Sequence, residues 1–276
     1  MQLAFLKMHG TGNRIVVVDQ RLENSPPPNA GELRRLSNND TGPGFDQLMW
    51  VGPANDPEIA ASYRVFNADG SEAEQCGNGV RCVAWMLARE DGAAHTYRLD
   101  SQAGLIEARV LDHNTVVASM GPPEFNPANI PFAADRQEDL YALAVNGETL
   151  SVSVLSMGNP HCVLEVNATE TASVGELGPA IERHRRFPSR ANVSFMHVLD
   201  RRNIELRVHE RGVGETLACG TAACAAVVSG QRRNLLDEEV TVHLRGGQVV
   251  VSWRGGAEPV WLTGNVELIG EGMIDL

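Results

Sequence analysis

Cys76 and Cys219 are each followed by glycine, and each closes a segment that occurs twice: Tyr63 to Gly77 lies over Leu206 to Gly220 without a gap, at an offset of 143 residues. Arg64 falls on Arg207, Val65 on Val208 and Glu72 on Glu215, while Asn67 and Glu210 stand equally far ahead of their cysteines. Both Cys-Gly pairs open stretches with the character of a helix. A thiol at such a start sits beside backbone N–H groups that have no intrahelical acceptor and at the positive end of the helix dipole, so an anion is stabilised there. Thiol pKa values near 8.5 can fall to roughly 3.5–7.5 in these positions, which predicts a thiolate near neutral pH. The same N–H groups could grip a carboxylate. Gly79, a poor helix former in the first turn, predicts close backbone approach to a ligand. If the two copies face one another, two similar thiols stand on opposite sides of one carbon. That arrangement removes a proton from one face and returns one to the other.

The elements that must carry these residues follow from the pattern around them. Leu3 to Phe5, the turn-like His9-Gly-Thr-Gly-Asn13 and the β-branched run Ile15 to Val18 predict strand, loop, strand. Ser25 to Asn29, with three consecutive prolines, predicts a loop, and Gly31 to Ser37 has weak helical spacing. Tyr63 to Phe66 predicts a strand that breaks at Asn67-Ala-Asp-Gly70. After each cysteine the chain is apolar nearly all round, from Arg81 to Leu87 and from Ala222 to Val228, so both helices must be wrapped on most sides. Each half therefore reads as a curved β-sheet, a barrel-like shell, closing over one buried helix. The register persists beyond the helices: Gly104 meets Gly247 in two hairpin-like stretches, and Gly121 meets Gly264. The expected domains are residues 1–120, with 265–276 returning to pair with them, and residues 121–264.

Composition excludes several classes. A net charge of −12 argues against nucleic acid or an anionic membrane as partner, because phosphate binding relies on a basic surface. Arg183-His-Arg-Arg186 is the local exception and reads as a solvated helix end. No run approaches the ~18 apolar residues of a membrane span, and no basic region followed by an apolar run and cleavage site opens the chain. An odd number of cysteines, five, suits free thiols in a reducing, cytoplasmic setting. Cys82, Cys162 and Cys224 read as small buried core residues. The cysteine spacings are not those of zinc sites. Lys7, the sole lysine, lacks a phosphate-cradling loop for pyridoxal phosphate, and Gly10 and Gly12 do not extend to a dinucleotide signature. The expectation is an enzyme with no metal and no cofactor.

Met8-His-Gly-Thr-Gly-Asn13, Gly44-Phe-Asp-Gln47, Asn67-Ala-Asp-Gly-Ser-Glu72, Glu74-Gln-Cys-Gly-Asn-Gly79 with Arg81-Cys82, Gly158-Asn-Pro-His161, Asn192-Val193 and Glu210-Arg-Gly-Val-Gly-Glu-Thr-Leu-Ala-Cys-Gly-Thr221 together resemble the diaminopimelate epimerase family, in order along nearly the whole chain. The resemblance implies an α/β fold of two pseudo-symmetric domains and cofactor-independent interconversion of LL- and meso-diaminopimelate, a late step toward lysine and the peptidoglycan cross-link. It makes Cys219 the base for the α-proton in the LL-to-meso direction and Cys76 the thiol that returns one. His161 and Glu210 would adjust thiol protonation. The N–H groups of Gly77, Asn78, Gly220 and Thr221 would hold the reacting carboxylate. Asn67, Asn159, Asn192 and Arg211 would read the distal amino acid end, with Glu210 in contact and Asn13 and Gln47 completing the pocket. The implied partner is a small molecule. A homodimer is left open, since Gly270 stands where an aromatic of the family's dimer contact is often found. Arg14-Ile15 and Ala222 also depart from the family pattern. A proline or hydroxyproline racemase is the sibling reading, against which stands Glu215-Thr-Leu-Ala218 in place of that group's Asp-Arg-Ser-Pro. A non-catalytic amino acid binder or thiol redox sensor is the alternative from another class.

Overall fold

The computed structural model describes residues 2–73, 75–92, 95–102 and 104–276; Glu74, the first residue of the Glu74-Gln-Cys motif, lies outside the described residues. The chain divides into two compact units, Met1–Ser119 with Thr263–Leu276, and Met120–Leu262.

In the first unit the strands are β1 (Gln2–Gly10), β2 (Asn13–Asp19), β3 (Gln47–Gly52), β4 (Ala61–Asn67), β5 (Glu72–Ala73), β6 (Thr96–Ser101), β7 (Gly104–Val110) and β8 (Thr115–Ser119), with helix α1 (Ala30–Ser37) after β2 and helix α2 (Gly77–Asp91) after β5. β1 and β2 pair antiparallel, β2 and β3 parallel across α1, β3 and β4 antiparallel, and β4 and β6 parallel across α2. β7 and β8 then follow antiparallel. In the second unit β9 (Tyr141–Val145) precedes β10 (Glu148–Ser156), β11 (Pro160–Glu165), helix α3 (Val174–Glu182), β12 (Asn192–Asp200), β13 (Asn203–Glu210), β14 (Gly214–Thr216), helix α4 (Gly220–Arg232), β15 (Glu239–Leu244) and β16 (Gly247–Ser252). Its pairings run in the same alternation: β10 and β11 antiparallel, β11 and β12 parallel across α3, β12 and β13 antiparallel, β13 and β15 parallel across α4, β15 and β16 antiparallel. After β17 (Trp261–Asn265), β18 (Glu267–Asp275) pairs antiparallel with β1.

The helix-centred shell of the sequence is present in both units. α2 touches β1, β2, β3, β7 and β8, and α4 touches β10, β11, β12, β13, β15 and β16, so each sheet curls until strands from both of its ends reach the same helix. Right-handed twist makes that curl natural. Around α4 the side chains from Thr221 to Gly230 are all buried, and its alanines let six strands approach one helix. The repeated glycines open β7 and β16, where the hairpins close at Ser101↔Gly104 and Leu244↔Gly247. α1 owes its start to a capping box of Asn29 and Glu32 after the proline loop.

Two expectations change. Arg81, counted within an apolar helix, is a fully buried charge whose Nη2 donates to Asn78 Oδ1 at 2.8 Å and Thr11 Oγ1 at 3.4 Å. Its guanidinium occupies the space a side chain at Gly264 would need, with Cζ 2.9 Å from where that Cβ would lie. The arginine stretch is only partly solvated. Arg183 and Arg185 are exposed beyond α3, but Arg186 lies over the Phe132 ring at 4.2 Å and donates to Ala133 O and Ala142 O.

Enlarging the closed face of α4 tests its wrapping. Ala225→Leu is expected to lower stability by roughly 1–3 kcal/mol through overpacking, read as a fall in the urea midpoint with an unchanged m-value; a neutral result would mean the helix is not enclosed.

Candidate active site

Local chain direction gathers the predicted residues within each unit. Because β2 and β3 run parallel and β4 returns antiparallel, the start of β2 (Asn13), the start of β3 (Gln47) and the end of β4 (Asn67) meet at one end of the sheet, in register Ile15↔Gln47 and Gln47↔Asn67. The start of β11, the start of β12 and the end of β13 meet likewise, bringing together His161, Asn192 and Glu210 in the register His161↔Asn192 and Val193↔His209. A turn closed by Gly70 N donating to Asn67 O, and its counterpart closed by Val213 N donating to Glu210 O, then leads into β5 or β14. The repeated Arg and Glu make the same bidentate pair in each copy. Arg64 holds Glu72 at 2.7 Å through both Nε and Nη2, and Arg207 holds Glu215 at 2.8 and 3.0 Å. From this braced hairpin the chain enters the helix at the cysteine.

Cys76 and Cys219 are the N-cap residues of α2 and α4, with nearly identical backbone angles, φ −141° and ψ 107° against φ −140° and ψ 116°. Cys76 Sγ accepts from Gly79 N at 3.1 Å. Cys219 Sγ lies 3.4 Å from Thr221 Oγ1. Since α2 begins at Gly77 and α4 at Gly220, the N–H groups of Gly77, Asn78, Gly220 and Thr221 are among those an α-helix leaves without an internal acceptor. At Gly79 an added Cβ would lie 2.2 Å from Met49 Sδ, so the glycine lets α2 pack closely on β3.

The predicted lowering of the second thiol's pKa is overturned. Burial pushes Cys219 well above the usual thiol range, and the Glu210 carboxyl within hydrogen-bonding reach adds to it, outweighing the Thr221 hydroxyl and the Ala222 N–H. Glu210 is itself raised by burial, against the bonds it accepts from Thr216 and Cys219. Thr216 Oγ1 donates to Glu210 Oε1 at 2.6 Å. At rest the proton therefore stays on the Cys219 thiol, with a carboxyl beside it.

The remaining residues fall into two unlike sets. In the first unit three amides form a chain, Asn13 Nδ2 donating to Gln47 Oε1 at 3.3 Å, Gln47 Nε2 to Asn67 Oδ1 at 3.1 Å and Asn67 Nδ2 to Ser71 Oγ at 3.1 Å, which ends on Asp69. Asn78 turns its side chain toward Arg81. In the second unit His161 is wholly buried and its Nε2 donates to Asn159 Oδ1 at 2.8 Å, which leaves Nδ1 as an acceptor without a partner among the described residues. Burial, then the positive charge of Arg211, pushes its pKa down to about 3, so the ring is neutral at any working pH. Asn192 ties β11 and β12 to the turn after β13: Oδ1 accepts from Arg211 N at 2.9 Å while Nδ2 donates to Pro160 O at 3.3 Å. Thr216 and Ser71, which complete these networks, escaped the sequence reading; position 216 is Ala73 in the first copy, and that departure from the repeat was the available signal. Cys82, Cys162 and Cys224 are fully buried. Among the described residues no three His, Cys, Asp or Glu side chains gather as metal ligands would, and no helix is long and apolar enough to cross a membrane.

A sequence model of one family, described as diaminopimelate epimerase, matches residues 5–126 and 153–269. The chain belongs to the diaminopimelate epimerase family. The family's two-domain α/β architecture recurs in solved structures of low identity. A hydroxyproline epimerase from Agrobacterium vitis, solved with trans-4-hydroxy-L-proline bound, is similar with a TM-score of 0.71 at 16% identity, over 99% of this chain and 92% of that one. A phenazine biosynthesis protein of the PhzF family from Bacillus anthracis gives 0.66 at 15% identity over 100% of both chains. A methylitaconate-delta-isomerase gives 0.65 at 16% identity over 99% of this chain and 95% of that one. Epimerases and isomerases thus share this fold with the chain.

Burial holds the second thiol's pKa up and the Glu210 carboxyl adds to it, so Glu210→Gln is expected to move the pH midpoint of Cys219 alkylation downward and to raise its rate near pH 8. Mass spectrometry of the Cys219 peptide, with the Cys76 peptide as internal reference, checks this; an unmoved midpoint would place the carboxyl outside the thiol's reach.

Proposed function

We propose that the protein interconverts LL- and meso-diaminopimelate by cofactor-independent proton transfer at Cα, supplying lysine and peptidoglycan precursors. The observation that carries this reading is the pair of cysteines capping two duplicated helices with the same backbone geometry, in a chain of the diaminopimelate epimerase family. Cys219 takes the α-proton of the LL form and Cys76 returns one, with the roles exchanged in reverse. Glu210 accepts the Cys219 proton to free the thiolate, a use of a nearby carboxyl whose own pKa burial raises. The neutral His161 offers Nδ1 as a further acceptor. Helix-start N–H groups hold the reacting carboxylate and spread the carbanion's charge, where removal of one donor costs about 2.7–4 kcal/mol. The amide chain Asn13, Gln47 and Asn67, with Asn159, Asn192 and Arg211, supplies donors and a positive charge for a second amino acid terminus, which a cyclic imino acid lacks.

Reduced protein in EDTA is expected to convert LL-diaminopimelate to the meso form and to leave proline and trans-4-hydroxyproline unchanged. Cys76→Ser and Cys219→Ser are each expected to lower the rate by about a thousandfold or more, within the range for loss of a positioned acid or base. Turnover of an imino acid without turnover of diaminopimelate, or a serine variant at the parent rate, would overturn the proposal.

A further inference from the structure

The geometry points to Glu182, through Gly212 and His209, as the residue that positions the turn carrying Glu210 and Arg211. Resting on the functional reading above, this assigns a role in catalysis to a carboxylate on the outer helix α3. Glu182 is 2% exposed and receives Gly212 N on Oε1 at 3.0 Å and His209 Nε2 on Oε2 at 2.9 Å, with Arg190 Nη1 3.6 Å away. Burying a carboxylate is costly unless its oxygens are satisfied, and here both are. The bonds that His209 and Gly212 supply hold its pKa below the usual carboxylate value against burial.

The two groups Glu182 grips flank the site. His209 immediately precedes Glu210 on β13, and Gly212 immediately follows Arg211. The turn Arg211-Gly212-Val213-Gly214 needs glycine at two places, with φ of +78° at Gly212 and +103° at Gly214, and so has little stiffness of its own. External anchors must supply it. Asn192 holds the N–H of Arg211 and Glu182 holds the next one. The close seat of His209 on α3 is also built in, since a Cβ at Gly178 would lie 2.7 Å from the imidazole.

The first unit has the same device with opposite polarity. There α1 reaches the matching turn through Ser37 Oγ donating to Ala68 O at 3.0 Å and Arg34 Nη1 donating to Asp69 O at 3.1 Å. Ala68 and Asp69 are the repeat partners of Arg211 and Gly212. A helix that clamps the turn behind Asn67 in one copy and behind Glu210 in the other does more than cover the sheet. It fixes where the last residue of that strand stands.

Two readings test the assignment on the full reduced chain. In Glu182→Ala the Gly212 amide is expected to exchange with solvent at least about tenfold faster by NMR, having lost its acceptor. The variant's kcat/KM for LL-diaminopimelate is expected to fall about a hundredfold, the scale of a misplacement remote from the chemistry, with KM rising through Arg211 and kcat falling through Glu210. Glu182→Gln keeps an Oε1 acceptor for Gly212 and is expected to restore amide protection and most of the activity. Should Glu182→Ala not fold, Glu182→Asp, which withdraws the carboxylate by one methylene, replaces it with the same expectations. A folded variant with parental Gly212 exchange and parental kinetics would overturn the inference. If the parent protein turns over no diaminopimelate, the functional reading fails, while the amide exchange still decides whether Glu182 holds the turn.

Discussion

Each unit depends on enclosing a helix inside its own sheet. A helix wrapped this way buries its apolar length, but its first turn carries N–H groups that nothing within the helix can satisfy. Those groups need partners at the one place where the chain enters. In both units the entry residue is a cysteine in the same extended conformation, delivered by a short hairpin that a bidentate Arg–Glu pair braces. The sulfur thereby stands among oriented donors without any contribution from the rest of the sheet. The cost of enclosure appears at the same atoms, since burial opposes the thiolate that the helix start favours.

The strand ends of the two copies carry different polar groups. The second unit places a carboxyl, a neutral imidazole and an arginine at or beside its strand ends, and burial, with the Glu210 carboxyl, holds the pKa of the Cys219 thiol up. The first unit places amides at the corresponding strand ends, linked head to tail from Asn13 to Ser71. Asn67 and Glu210 occupy the same repeat position. An amide there can read a ligand but does not titrate, whereas a carboxyl can take a proton. Duplication thus conserved the framework and let the polarity of its edge diverge.

Much of this was legible before any coordinates. The gapless repeat fixed the equivalence of the strands, and two apolar stretches after Cys-Gly announced enclosed helices with thiols at their starts. The paired hairpin glycines fell where the repeat placed them. What escaped was non-local. Gly79 answers to Met49, thirty residues earlier, and the place of Arg81 is made by Gly264 at the far end of the chain. Within the arginine-rich stretch nothing local announces that Arg186 lies over Phe132. At the Cys219 thiol the local helix-start effect is outweighed by burial, which no neighbouring residue in the sequence announces. Glu182 and His209 belong to no motif, and only the packing of α3 brings them together.

In the proposed function two thiols, one from each repeat, act on one carbon. This is tested most directly by following LL-diaminopimelate through its first turnovers in D₂O, with reduced protein, by NMR combined with chiral separation. The account predicts meso product carrying one deuterium at the inverted carbon while the remaining LL pool is unlabelled, because the acid that returns the proton has exchanged with solvent and differs from the base that removed it. Meso product that keeps the original proton would show a single group acting on both faces and would contradict the account.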